Sequence, residues 1–410
     1  MGAEAGPLTG IRVVDLSMLL PGPLCSQHLA DMGADVIKIE NPRAADMTRY
    51  SDMRFGGVEK SAVEDGAGQS EPSAREDGTM FLLLNRNKKS VTLNIMRPEG
   101  RAILLKLLAD ADVLLEGFRP GKMEEMGIGY SQLKEKFPKL VYCAISGYGA
   151  TGPLRDFAGH DGNYISRAGV MDLTGAEAPV VPGIQIADIA GGTLIALSGI
   201  LAALVARGRT GRGQFVDVSM MDGAFSMIPL QAADFALTGK SPERGTLPLS
   251  GGLPNYHVYR TKDQRYVMLG SLEERFFRAF LRQAGREELA DLLKSGQLAE
   301  LKAALTQLFA SRDLSEWMPL CENTETCLSP VQSVAQAFED PQLKARGMVR
   351  RKVRGKREIV EIGSPFHLSG TPCDLDRLPP PAHGEHTLEV LSSVGLDALS
   401  IEELRKKRII

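Results

Sequence analysis

Asp188, His160 and Glu273 are the side chains whose type and setting suggest chemistry. Asp188 stands directly before an uncharged run of 18 residues, IAGGTLIALSGILAALVA, from Ile189 to Ala206. An aspartate there either caps a helix by accepting backbone N–H bonds, or presents a carboxylate as a nucleophile or proton acceptor. Gly191 and Gly192 would let a ligand approach the helix start, where the dipole favours negative charge. His160 lies in AGHDGNY (158–164), behind a loop bearing Gly147, Gly149, Gly152 and Pro153. It is either a structural histidine or a group that gives and takes a proton near neutrality, and such loops carry a disproportionate share of chemistry. Glu273, in GSLEERFF after a strand end, could orient and tune that imidazole. Ser-His-Asp spacing and GxSxG and GxxxxGK[ST] patterns are absent, which argues against a hydrolase triad and a Walker-type phosphate loop. The six histidines and five cysteines show no HExxH or CxxC spacing, so no metal site is expected.

Short elements must position these groups. IRVVDL (11–16) reads as a buried strand, Pro21-Gly22-Pro23 breaks the chain, LCSQHLADMGA reads as a helix ending near Gly33, and DVIKIE (35–40) reads as a second strand. Together they have the size of one parallel-sheet crossover. A helix over 98–109 and strands in SVTLNI (90–95), ADVLLEGF (111–118) and LVYCAISGYG (140–149) continue the alternation, which predicts an α/β domain with a parallel sheet. The stretch 54–79, rich in Gly, Ser, Glu and Asp, reads as a mobile surface loop. The apolar run at 189–206 is at the lower edge for a membrane span. Its internal Gly, Thr and Ser, with Asp188 and Arg207 at its flanks, predict a buried helix of a soluble protein instead. YHVYRT and QRYVMLG, around Lys262-Asp263, read as a hairpin, residues 274–322 as amphipathic helices, and the C-terminus as two helices. A smaller α+β domain is cut at 226–335, leaving 1–225 and 336–410.

Composition bounds the function. A chain of 410 residues with 43% hydrophobic and 24% charged residues is that of an ordinary globular protein of two or three domains. A net charge of −3 supplies no overall basic field for nucleic acid or anionic lipid. Basic residues cluster at 350–357 and 405–408, as solvated faces or tails do. The odd cysteine count without a pairing pattern reads as a reduced, cytoplasmic protein. The N-terminal MGAEAGPLTG has neither a secretory pattern nor a myristoylation signal, since Gly6 stands where Ser or Thr is needed. Glycine is in excess: its 43 residues are about a tenth of the chain against a usual share of roughly 7%.

Several segments, in order, resemble the family III CoA-transferases (CaiB/BaiF type), a superfamily that includes formyl-CoA transferase and α-methylacyl-CoA racemase. They are GIRVVDLSMLLPGPLCSQHLADMGADVIKIE (10–40), NRNKKSVTLN (85–94), ADVLLEGFRPG (111–121), SGYGATGP (146–153), TGRGQFVDVSMMDG (210–223), CLSPV (327–331) and GEHTLEVL (384–391). The resemblance implies a Rossmann-like large domain built from 1–225 and 336–410, the smaller inserted domain, and a homodimer whose subunits interlock like chain links. It implies an acyl-CoA thioester substrate, with coenzyme A entering as part of the substrate and no separate cofactor. In the transferases, the aspartate matching Asp188 attacks the thioester to give a mixed anhydride and then an aspartyl-CoA thioester. In the racemase branch, the same aspartate and a histidine matching His160 form an acid–base pair, with Glu273 bonded to the histidine. Asn87, Lys88 and Arg119 match segments lining the nucleotide site, and Gly22 borders the pantetheine. Gly159, His160, Asp161, Asn163 and Tyr164 match the racemase GHDxNY segment. His160, Asp188 and Glu273 occurring together favour an isomerase inverting C2 of 2-methyl-branched acyl-CoA, with CoA transfer as the alternative. Departures fall on both sides: Leu20 replaces a formyl-CoA transferase glutamine, Ser250 replaces an aspartate common in racemases, and Glu274-Arg275 replace Pro-Gln.

Overall fold

The computed structural model describes residues 6–50, 77–354 and 357–410, so the predicted surface loop lies outside the described residues from 54 to 76. The chain forms two compact units. The first comprises the chain up to Ala168, Gly183–Met227 and Ala345–Ile410. The second comprises Gly169–Pro182 and Ile228–Lys344.

The first unit is built on a six-stranded sheet: β1 (Arg12–Asp15), β2 (Asp35–Glu40), β3 (Lys88–Thr92), β4 (Val113–Glu116), β5 (Val141–Ser146) and β6 (Phe215–Ser219). All neighbours pair in parallel, in the order β3-β2-β1-β4-β5-β6. This is the doubly wound order, in which the direction of winding reverses between β1 and β4. Side-chain alternation gives the sheet two unlike faces. One is apolar: Val14, Ile37, Val91 and Leu114 pack with Leu104 and Leu108 of the Pro98–Leu108 helix and with Val390, Leu391 and Ile401 of the C-terminal helices Thr387–Ser393 and Ala398–Lys406. The other carries a buried polar row under the Pro21–Asp31 helix. Asp15 pairs in register with Lys38, Lys38 with Ser90, and Val36 with Lys88. Asp15, Lys38 and Lys88 are all fully buried. Lys88 Nζ donates to Pro23 O and Asn85 Oδ1, both at 2.8 Å, and lies 3.7 Å from Asp15.

The apolar run forms a π-helical segment, Ile186–Leu194, continuing into an α-helix, Ile195–Thr210. Together they make a 25-residue helix whose most apolar 18-residue stretch has a mean hydropathy of 2.2. Only one face of it is buried within this chain. Gly191, Gly192, Ala196, Leu197 and Ile200 are covered, while Leu194, Ile195 and Val205 remain exposed. The burial expected of this run therefore holds for one face of the helix. The basic cluster near 350 lies largely in the antiparallel hairpin β10 (Val349–Arg354) and β11 (Arg357–Ile362). Arg350 and Lys352 share Asp376, at 2.6 and 2.9 Å.

In the second unit, β7 (Tyr256–Arg260), β8 (Tyr266–Gly270) and β9 (Leu328–Pro330) form an antiparallel sheet, with the first two joined as the expected hairpin. Tyr259 stacks on Phe309 and Phe309 packs on Trp317, with ring centroids 4.8 and 4.9 Å apart, inside a core closed by Phe277 and Phe280. Beyond the 226–335 cut, this unit includes 169–182. Arg244 binds Asp172 at 2.6 Å there, and Gly175 bridges to Pro179.

Candidate active site

His160 and Asp188 converge within the first unit. His160 is the N-cap of the Asp161–Arg167 helix, and its N–H donates to Asn163 Oδ1 at 3.0 Å, which fixes the turn into the helix. Its side chain is exposed. Asp161, the first helical residue, accepts the backbone N–H of Asp188 on its Oδ1 at 3.0 Å. One short helix thus presents the histidine and, through Asp161, anchors the segment bearing Asp188.

Asp188 is inside the first turn of the π-helical segment rather than before it; Gln185 is the cap. Its carboxyl is half-buried. Burial and the neighbouring Asp161 carboxylate push its pKa up to about 6, against the pull of His160. At that value a carboxyl exists in both protonation states near neutrality, as general acid–base work requires. Two backbone amides at the start of this segment are already engaged: Asp188 N–H is bonded to Asp161, and Ile189 N–H to Gln185 O at 3.1 Å.

Close packing holds the segment in place. A Cβ on Gly191 would lie 2.5 Å from Met220 O and 3.0 Å from Ala224 N, so only glycine permits the helix Met220–Phe225 to approach this near. Thr193 Oγ1 donates to Pro21 O at 2.8 Å, tying the segment to the loop after β1. Tyr164, one turn beyond His160, donates its hydroxyl to Gly159 O and meets Tyr148 edge-on at 5.1 Å. Burial and the Asp188 charge push its phenol up to about 12, so it stays a neutral donor. The sequence reading includes Asp161 and Tyr164 in the GHDxNY match but gives neither a role of its own. Their signal was their place in the helical turn after His160, which puts both beside it.

The remaining predicted residues divide. Glu273 is exposed at the N-cap of the Glu274–Ala284 helix in the second unit, where burial and its charge together raise the Cys327 thiol. Arg119 is exposed on the loop after β4. That loop borders a cavity of about 310 Å³ lined by Phe118, Gly121, Arg155 and the buried Glu116, whose carboxyl burial pushes up to about 7. Gly22 is buried against Ser17, whose side chain a Cβ would meet at 2.2 Å. Asn87 and Lys88 are both buried. Asn87 is buried in a left-handed conformation (φ 63°) and binds Asp31 Oδ1, Asp374 O and Leu378 N–H. Lys88 is in the buried polar row. The polar atoms of both are satisfied by the protein itself, leaving neither presented to a nucleotide.

Sequence and structure comparisons agree with this architecture. The CoA-transferase family III model matches residues 8–387, and the chain belongs to that family. It is 35% identical over 420 residues to an acyl-CoA transferase of Fusarium pseudograminearum, covering 100% of this chain and 89% of that protein. It is 32% identical to alpha-methylacyl-CoA racemase of Homo sapiens, covering 98% and 97%, and 32% identical to succinyl-CoA:glutarate CoA-transferase of Mus musculus, covering 97% and 89%. Among solved structures, a CaiB/BaiF family protein from Brucella suis superposes with a TM-score of 0.79 at 32% identity, covering 95% of this chain and 100% of that one. The family therefore contains relatives named for both chemistries.

Proposed function

We propose that the protein is an acyl-CoA epimerase that inverts C2 of 2-methyl-branched acyl-CoA thioesters by two-base proton transfer. The observation that carries this reading is Asp188 held at about 6 within the electrostatic reach of His160. The α-proton of a thioester is weakly acidic, so catalysis needs a base on one face, an acid on the other, and stabilisation of the enolate between them. In one direction His160 takes the α-proton, leaving an enolate, and protonated Asp188 returns a proton to the opposite face. The other epimer uses the same pair reversed. Arg119 and the cavity beside it receive the nucleotide of coenzyme A, which enters with the substrate and with no separate cofactor. The enzyme acts in the cytoplasm as an interlocked homodimer, a second copy covering the apolar side chains left exposed at Leu194, Ile195 and Val205.

The second reading, CoA transfer through an anhydride at Asp188, draws on the half-buried setting of that carboxylate and on the names of the transferase relatives. Incubation of one epimer of 2-methyldecanoyl-CoA without any free acid separates the two. The epimerase reading expects both epimers by chiral chromatography. Unchanged configuration, with CoA passing to an added carboxylic acid and hydroxylamine trapping at Asp188, would establish the transferase.

A further inference from the structure

Leu19 has a left-handed backbone conformation, φ 68°, which is an outlier for a bulky residue. It lies in the loop between β1 and the Pro21–Asp31 helix, at the edge of the sheet where the strand order reverses. Open α/β sheets bind ligands in the crevice at that point. Strained residues persist only where their surroundings over-determine them, and here those surroundings are a buried ion cluster. Leu19 N–H donates to both carboxylate oxygens of Asp46, each at 3.3 Å. Asp46 is fully buried; it pairs with Lys38 Nζ at 3.0 Å and accepts the N–H and hydroxyl of Thr48 at 3.1 and 2.8 Å. Lys38 Nζ also donates to Ser17 O at 2.8 Å, and Ser17 N–H donates to Asp15 Oδ1 at 2.8 Å. The loop is thus held at Ser17 and Leu19 from beneath. At its far end, Pro21 O accepts the Thr193 hydroxyl from the helical segment that carries Asp188.

We propose that Asp46, acting with Lys38, is a positioning residue for the acyl-CoA: it holds the loop from Ser17 to Pro21 in the strained form that shapes the substrate crevice. This rests on the acyl-CoA reading above. It makes Asp46 act through Leu19, which separates it from a residue that merely supports folding. Without the anchor, a leucine leaves the left-handed region, whereas a glycine occupies it freely.

The test measures the calorimetric Kd for 2-methyldecanoyl-CoA, with turnover alongside, in Asp46→Ala, Asp46→Asn, Leu19→Gly and the double variant Asp46→Ala/Leu19→Gly. Asp46→Ala is expected to weaken binding by about fivefold to thirtyfold, the left-handed penalty expressed as a ratio, with a smaller change in kcat. Asp46→Asn, which keeps one acceptor oxygen, falls between. Introduced into Asp46→Ala, Leu19→Gly recovers at least about threefold in Kd, a larger gain than any it gives in the wild-type background and a non-additivity expected of coupled neighbours. An unchanged Kd in Asp46→Ala, or the same effect of Leu19→Gly in both backgrounds, overturns the proposal while leaving the acyl-CoA reading intact. If Asp46→Ala does not fold, the same comparison is made in Asp46→Asn. A wild-type chain that binds no acyl-CoA overturns the reading and the proposal together.

Discussion

A carboxyl raised by burial is an unfavourable charge in the folded state, and Asp188 shows where that becomes measurable. Its pKa is about 6 in the fold against 3.8 for the free side chain. Between those values the folded state holds more protons than the unfolded state, so this group costs stability as pH rises through the window. Below about 3.8 both states are protonated and the cost vanishes; above about 6 it is complete. Asp188→Asn should therefore raise Tm at pH 8 and lose most of that advantage at pH 4, while catalysis is abolished. A variant whose advantage over wild type is no larger at pH 8 than at pH 4 would show that the carboxylate is not strained by its setting. The charge of Asp161 beside it contributes to the shift, so a residue that the sequence reading named only as part of a motif helps tune the one it singled out.

At the scale of elements, packing of the π-helical segment decides whether the acid–base pair exists. Gly191→Ala forces a Cβ to 2.5 Å from Met220 O, and overpacking of this kind costs about 1–3 kcal/mol. Gly208, on the exposed part of the same long helix, has no atom within 4 Å of a Cβ built there. Gly208→Ala should instead stabilise by about 0.5–1 kcal/mol. Urea denaturation of the two variants reads the opposite signs directly. Strand positions were legible because alternation and Gly/Pro breaks are local: DVIKIE is β2 from end to end. The role of Lys88 was not, because a lysine beside a glycine-poor strand looks like a surface charge until β2 and the Pro21–Asp31 helix enclose it. Asp188 was placed one turn wrong for a related reason. A π-helical start depends on what the segment packs against, here Met220, Ala224 and Pro21, and no periodicity within the segment records that.

At the scale of the whole molecule, the exposed apolar side chains carry the assembly prediction. In the second unit, the Pro229–Thr238 helix buries no residue and exposes Leu230, Phe235 and Leu237. Contiguous exposed apolar surface marks association sites, and the proposed interlocked dimer gives it a cover. Light scattering should give twice the monomer mass. Isotope-labelled and unlabelled copies should exchange subunits only after denaturation and refolding, since linked rings cannot part while folded; exchange under native conditions would exclude interlocking. The glycine excess seen in the sequence has a matching explanation at several site positions, because Gly191 and Gly147 sit where a side chain would strike Met220 and Tyr164. The claim that this architecture serves epimerisation is tested most directly by α-deuterium incorporation into 2-methyldecanoyl-CoA in deuterated water, with no acceptor acid present. Wild type is predicted to exchange the α-proton, and His160→Ala and Asp188→Asn to lose exchange from opposite epimers at least about a hundredfold, the scale of one acid–base group. No exchange by wild type, with CoA still transferred to a free acid, would contradict it.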